Sequence, residues 1–212
     1  MLKHLDSCKE RKEQEDKEAG KTVGYFELLI TAKYKKTYWL VIEMEDTAKL
    51  KDLDQFIRDI WVECCGHLSS FEIDGELYDS SPANDSYWQL PAKSMDIQLK
   101  KILEIGTQIA YEYDFGSTTE LVISVVAHRE GKKKKEKVTI LSRDNPPEIL
   151  CSLCEKNLAE WVSPEGFYDG TPFWCEECLE ENDIDEDEFL LPVCNSPRMG
   201  VCGYEGSDKY PE

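Results

Sequence analysis

The chain has 212 residues, 44 acidic side chains against 25 basic ones, and a formal charge of −19. With 41% hydrophobic and 10% aromatic residues it can bury a real core, which excludes a wholly disordered chain and fits one large or two modest domains. No apolar run is long enough for a membrane span, and the alternating charges from Lys9 to Lys21 lack the apolar stretch of a secretion signal, so a cytoplasmic protein is expected.

Residues 1–21 carry six basic and six acidic side chains and few apolar ones, the composition of a charged and disordered arm with Cys8 as an incidental thiol. The runs Phe26 to Ala32 and Tyr38 to Ile42 flank the basic turn Lys33 to Lys36 and predict an antiparallel hairpin. A helix is predicted next, capped by Thr47, with Leu50, Leu53, Ile57, Ile60 and Cys64 at helical spacing and Gly66 at its end. Phe71 and Ile73 lead into Asp74-Gly75, a hairpin-turn dipeptide, with Leu77 and Tyr78 beyond it. The stretch from Ser80 to Pro91 has the composition of a surface loop, and Ser94 is placed to cap a second helix ending at Gly106. Alternation then marks strands over Ile109 to Phe115 and Leu121 to Val125, and Val138 to Leu141 adds a third. Asn145-Pro146-Pro147 breaks regular structure, and the domain boundary is set there. Hairpin-linked strands with two intervening helices imply an α+β domain over 22–145, an antiparallel sheet with helices on one face.

Beyond the boundary, residues 146–212 contain two Cys-x-x-Cys pairs, Cys151/Cys154 and Cys175/Cys178, with twenty residues between them. A two-residue gap lets one turn aim both sulfurs at a point about 2.3 Å away, and two such turns close a zinc tetrahedron. Four protein ligands leave no position for a reacting water, so the expected zinc is structural. Leu158 to Val162 and Thr171 to Trp174 are expected to pair around the Gly166 and Gly170 turns, with a helix from Glu176 to Asn182. The result is a small treble-clef-like or ribbon-like zinc module with Cys175 and Cys178 at a helix start.

The elements Tyr111-Glu112-Tyr113-Asp114-Phe115-Gly116 and His67-Leu68-Ser69-Ser70-Phe71-Glu72-Ile73-Asp74-Gly75, the latter following a helix that contains Trp61, resemble the plasmid Ri open-reading-frame-three-like family over roughly residues 22–145. The resemblance implies the fold of uncharacterised proteins, some encoded beside transposition genes, and no catalytic residue. Ser117-Thr118-Thr119 replaces the acidic and tryptophan continuation usual in that family.

Other residues invite sharper readings that simpler ones outweigh. Cys64, Cys65 and His67 could pair a nucleophile with a base, but Cys64 falls on the apolar stripe of its helix, where packing is the expected role. Glu112 and Asp114 could be paired catalytic carboxylates, yet strand alternation makes them a solvated face. Lys132 to Lys135, with Arg129 and Lys137, could touch phosphates but lacks interleaved aromatics. Cys194 and Cys202 lack ordinary ligand spacing; two thiols with no nearby histidine in sequence disfavour a second metal, and both are expected to pack beneath the finger. Residues 150–212 hold three basic and sixteen acidic side chains, a difference of −13, which repels a phosphate backbone. The acidic run Glu176 to Glu188 ends in Phe189-Leu190-Leu191-Pro192, a combination suited to docking a basic protein partner. The sequence therefore predicts a non-catalytic zinc protein that binds another protein, with a nucleic-acid accessory role or an unrecognised enzyme as alternatives.

Overall fold

The computed structural model describes residues 20–81, 92–182 and 189–210. The charged arm with Cys8, most of the predicted loop before Pro91 and the acidic stretch 183–188 lie outside them. The described residues form two compact units: a sheet unit of residues 20–54, 70–81, 92–111 and 120–144, and a cysteine unit of residues 55–69, 112–119, 145–182 and 189–210. The C-terminal segment thus shares its unit with two short stretches from earlier in the chain.

The strands of the sheet unit are β1 (Thr22–Ala32), β2 (Trp39–Glu45), β3 (Ser69–Ile73), β4 (Glu76–Asp79), β5 (Lys93–Ser94), β6 (Gln108–Tyr113), β7 (Thr119–Lys132) and β8 (Val138–Arg143). They lie in the order β5-β4-β3-β6-β7-β1-β2-β8. The pairs β1/β2, β1/β7, β2/β8 and β3/β4 are antiparallel, and the short β4/β5 pair is parallel. The sheet is therefore mixed but mostly antiparallel, in an α+β setting. Its core follows the twofold period of the strands: Leu28 and Ile30 on β1, Leu40, Ile42 and Met44 on β2, and Leu121, Ile123 and Val125 on β7 are all buried. The Asp74-Gly75 turn takes positive φ at both residues, 51° and 78°, as a twist-matched two-residue hairpin requires.

The first helix, α1 (Leu50–Ile57), passes into a π-helical turn over Arg58–Val62 and stops there, short of the predicted Gly66. Thr47 is not its cap, because that hydroxyl bonds the Glu45 carboxylate. The first-turn N–H groups are satisfied from elsewhere: Leu50 and Lys51 donate to the carbonyls of Ile97 and Met95 at 2.9 and 3.0 Å, and Lys49 N–H donates to Asp52 Oδ2 at 2.8 Å. That demand explains why the second predicted helix is reduced to a 3-10 turn at Leu99–Lys101. Residues 95–97 lend their carbonyls outward and stay extended.

Within the basic cluster of the sheet unit, Arg129 and Lys134 turn inward. Glu43 is 0% exposed; Arg129 grips its Oε2 from Nε at 2.7 Å and from a second guanidinium nitrogen, and Lys134 Nζ lies 2.8 Å from Oε1. Lys133 approaches Glu45 at 3.5 Å and Lys137 bonds Asp52 at 2.9 Å. Burial works against ionisation of Glu43, but Lys134 and Arg129 outweigh it and hold the carboxyl below its ordinary range.

In the cysteine unit the regular elements are short. They are β9 (Trp161–Val162), α2 (Gly166–Asp169), β10 (Phe173–Trp174), α3 (Glu176–Glu181) and β11 (Leu191–Pro192), with β9 pairing antiparallel to both β10 and β11. Sequence patterning anticipated the β9/β10 pair and α3, but not α2 or β11. The tail after β11 caps the π-turn. Ser207, Tyr204 and Ser196 donate their hydroxyls to the carbonyls of Asp59, Ile60 and Trp61, the last two at 3.3 and 2.6 Å. Those are carbonyls that a helix end leaves without an intrahelical partner. One tail segment thus replaces a glycine cap, and it buries Met199 and Tyr204 against Val162 and Leu191.

Candidate metal centres

Cys151 and Cys154 lie on a turn closed by Glu155 N–H donating to Cys151 O at 3.0 Å, with Glu155 itself at φ 54°. Cys175 is the N-cap residue of α3 and Cys178 lies in its first turn, so the loop and the helix aim two sulfurs each at one volume. All four sulfurs lie within 4.8 Å of one another, and Cys154 Sγ to Cys175 Sγ is 3.9 Å. Zinc–sulfur bonds of about 2.3 Å in a tetrahedron require sulfur–sulfur edges of about 3.8 Å, so the set fits the ion. Cys151, Cys175 and Cys178 are buried, packed with Trp174, Trp161 and Leu179.

The local electrostatics favour thiolates. Burial opposes ionisation of Cys151, but the backbone N–H groups of Cys154, Cys175 and Leu153 point at its sulfur and bring the thiol to about 6. The N–H groups of Asn157 and Lys156 lower Cys154 in the same way. Cys178 moves the opposite way, pushed up first by burial and then by the neighbouring sulfurs, the behaviour of thiols crowded around one point. Asn157 Nδ2 approaches Cys175 Sγ at 3.7 Å and donates to Glu177 Oε2 at 2.7 Å, tying the first turn to the helix start.

A second cluster joins residues that sequence spacing kept apart. Cys65 Sγ lies 3.7 Å from both Cys64 Sγ and Cys202 Sγ, and His67 Nε2 lies 3.0 Å from Cys65 Sγ and 3.6 Å from Cys202 Sγ. Cys202 does not pack beneath the finger; it faces Cys65 and His67, whereas Cys194 is in the apolar cluster with Val162 and Leu191. Cys65 and His67, the partners of Cys202, are 137 and 135 residues away in sequence, so no spacing rule could have linked them. The signal available was the density of ligand types in Cys64-Cys65-Gly66-His67. Contact with His67, and then with Cys65, brings the Cys202 thiol down to about 7, while contact with the Cys202 and Cys64 sulfurs pushes the Cys65 thiol up to about 12.

Glu112 and Asp114 do not form a paired carboxylate face. Asp114 sits past the end of β6 at φ 63°, is buried, and takes a 2.7 Å bond from Arg198, whose side chain is 0% exposed. Arg198 also bonds Ser117 O and Thr119 Oγ1 at 3.0 and 3.1 Å and stacks 4.8 Å over Tyr113. Asp114 is held below its ordinary range against its own burial, first by Arg198 and then by the N–H groups of Gly116 and Ser117. Ser117 and Thr119, where the chain departs from its expected family pattern, are thus Arg198 ligands. An open cavity of about 420 Å³ lies in the sheet unit, lined by residues including Tyr78, Lys100, Lys101 and Glu104, and Tyr111, Tyr113 and Asp114 take no part in it.

Two Cys/His clusters in the cysteine unit are therefore able to hold a metal ion. Among the described residues no helix is long and apolar enough to cross a membrane. Comparison with known proteins matches residues 26–153 to the family described as plasmid pRiA4b ORF-3-like protein. No curated protein matches. A solved structure, that of the protein of unknown function MM3350 from Methanosarcina mazei Go1, is similar at 17% identity with a TM-score of 0.49, over 57% of this chain and 69% of that one.

Proposed function

Given that the chain belongs to the plasmid pRiA4b ORF-3-like family, whose matched residues include Cys151 but stop short of Cys154, Cys175 and Cys178, we propose a non-catalytic, zinc-stabilised module that docks another protein. The observation that carries the reading is the closed four-sulfur set. Cys151, Cys154, Cys175 and Cys178 supply a full tetrahedron, which leaves no coordination position for substrate or water. The order of cysteine turn, β9/β10 hairpin and α3 supports a treble-clef-like reading of the module.

Protein docking is supported by what the same unit exposes. Among the described residues, eight of the ten exposed large apolar side chains belong to it, among them Leu153, Leu158, Phe167, Phe189 and Tyr168, the last 92% exposed. The three basic and sixteen acidic side chains of 150–212 select a partner with a basic surface around apolar contacts. The engagement of Lys133, Lys134, Lys137 and Arg129 with carboxylates of their own unit weighs against a nucleic-acid role.

The test is affinity capture with mass-spectrometric identification, using wild type, a zinc-chelated sample and a Phe167→Ser/Tyr168→Ser variant. A basic partner held by wild type and released in the other two samples is expected. Equal retention in all three, or salt-sensitive binding of duplex DNA in a gel-shift assay, contradicts the reading.

A further inference from the structure

We propose that Cys64, Cys65, His67 and Cys202 form a second metal centre, a three-thiolate and one-imidazole site for a thiophilic divalent cation, zinc by its ligand class. This goes beyond the four-cysteine site and does not depend on it. All four ligand atoms lie within 4.8 Å of one another. Two sulfur–sulfur edges of 3.7 Å match the edge of about 3.8 Å that a zinc tetrahedron demands, and the 3.6 Å edge from Cys202 to His67 matches the mixed sulfur–nitrogen edge of about 3.5 Å. The 3.0 Å edge between Cys65 and His67 is the short one, a thiol–imidazole hydrogen bond.

The site is built rather than accidental, because both ligand-bearing segments are fixed from behind. Glu63 accepts from Gly66 N–H at 2.6 Å and from the Tyr113 hydroxyl at 3.0 Å; Arg58 bonds Glu63 at 2.7 Å and the His67 carbonyl at 2.8 Å. The Tyr113 oxygen in turn accepts His67 N–H at 3.3 Å, and its ring meets the imidazole edge-on at 5.7 Å. The loop 63–67 is therefore held without help from its thiols. On the tail side, Arg198 anchors the turn that leads to Cys202, with Val201 N–H donating to Arg198 O at 3.0 Å, and Gly203 N–H points at the Cys202 sulfur. A backbone N–H aimed at sulfur is the same device used at Cys151 and Cys154.

Charge is partly offset as well. Three thiolates and a neutral imidazole around a divalent cation leave a net charge of −1. Arg198 places its guanidinium 3.5 Å from Cys64 Sγ and offsets part of that charge, while also pairing with the Asp114 carboxylate, which lies 3.5 Å from His67 Nε2. A metal here would link the helix-end loop to the tail that caps the π-turn, closing a loop of 137 residues from Cys65 to Cys202. Partial exposure of the set distinguishes it from its buried neighbour.

Native mass spectrometry of the full chain, purified under reducing conditions and supplied with zinc, tests the proposal without relying on a variant's folding. Two zinc ions per wild-type chain are expected, falling to one in Cys202→Ser and to one in His67→Ala. Cobalt substitution of the Cys175→Ser variant is expected to give the absorption of a three-sulfur, one-nitrogen site. A single wild-type zinc that Cys202→Ser retains, two zinc ions retained in Cys202→Ser, or a Cys65–Cys202 disulfide in place of metal overturns the proposal. Loss of zinc from Cys202→Ser but not from Cys175→Ser supports this site and refutes the four-cysteine reading, whereas loss from Cys175→Ser but not from Cys202→Ser leaves that reading standing and refutes this one.

Discussion

The sheet unit and the cysteine unit hold themselves together by different means. In the first, strands up to fourteen residues long present alternating apolar faces, and burial of Leu28, Ile30, Ile42, Ile123 and their neighbours needs no special chemistry. In the second, strands of two residues and helices of four and six offer too few apolar contacts for independent stability. Specific bonds take over there: sulfur clusters, tail hydroxyls on helix-end carbonyls, and one buried arginine serving four groups. A fold built on area tolerates small losses anywhere, whereas a fold built on a few convergent groups fails when one of them is removed.

The contrast can be broken most forcefully at the cysteines. Cys175→Ser should release the metal of its site and unfold residues 150–182, because structural zinc is worth roughly 10–16 kcal/mol in comparable modules. Circular dichroism and heteronuclear NMR should show the sheet resonances in place; their collapse would mean that the two units are not separable in this way. Arg198→Met should cost about 3–5 kcal/mol by stranding the buried Asp114, read as a drop in the urea midpoint of the cysteine unit. Loss of less than 1 kcal/mol would show that Asp114 finds water or a new partner.

On the other side of the comparison, Ile123→Ala should destabilise the sheet unit by about 2–5 kcal/mol while leaving zinc content unchanged, as measured by denaturant unfolding and elemental analysis. Acid sharpens the contrast least but reads both units. Glu43 and Asp114 are each held below their ordinary pKa in the folded chain. Their contribution is therefore present above the ordinary carboxylate range and is lost as pH falls through the folded values. Unfolding free energy should decline on acidification, and Glu43→Gln should flatten that decline in the sheet unit; an unchanged slope would remove Glu43 as its source.

The fold was legible in the sequence where a period or a turn rule operates. Leu121, Ile123 and Val125 announced their strand by alternation, Asp74-Gly75 its hairpin, and the paired cysteines their cluster. What escaped was decided by distant partners. Ser94 suggested the cap of a helix ending at Gly106, but the carbonyls of Met95 and Ile97 are taken by the start of α1. Thr47 looked like a cap and instead serves Glu45. Cys202 met no spacing rule because the residues it faces were assigned to a helix end, and Asp114 looked solvated because Arg198 lies 84 residues away. Local chemistry was readable, and convergence across the chain was not.

The most direct measurement is amide hydrogen exchange on the full chain before and after zinc chelation. Metal removal should strip protection from β9, β10 and α3 while the amides of β1, β2 and β7 exchange as before. Undiminished protection of α3 and the Cys151–Cys154 turn in metal-free protein would contradict the claim that convergent sulfurs and their ion hold the cysteine unit together.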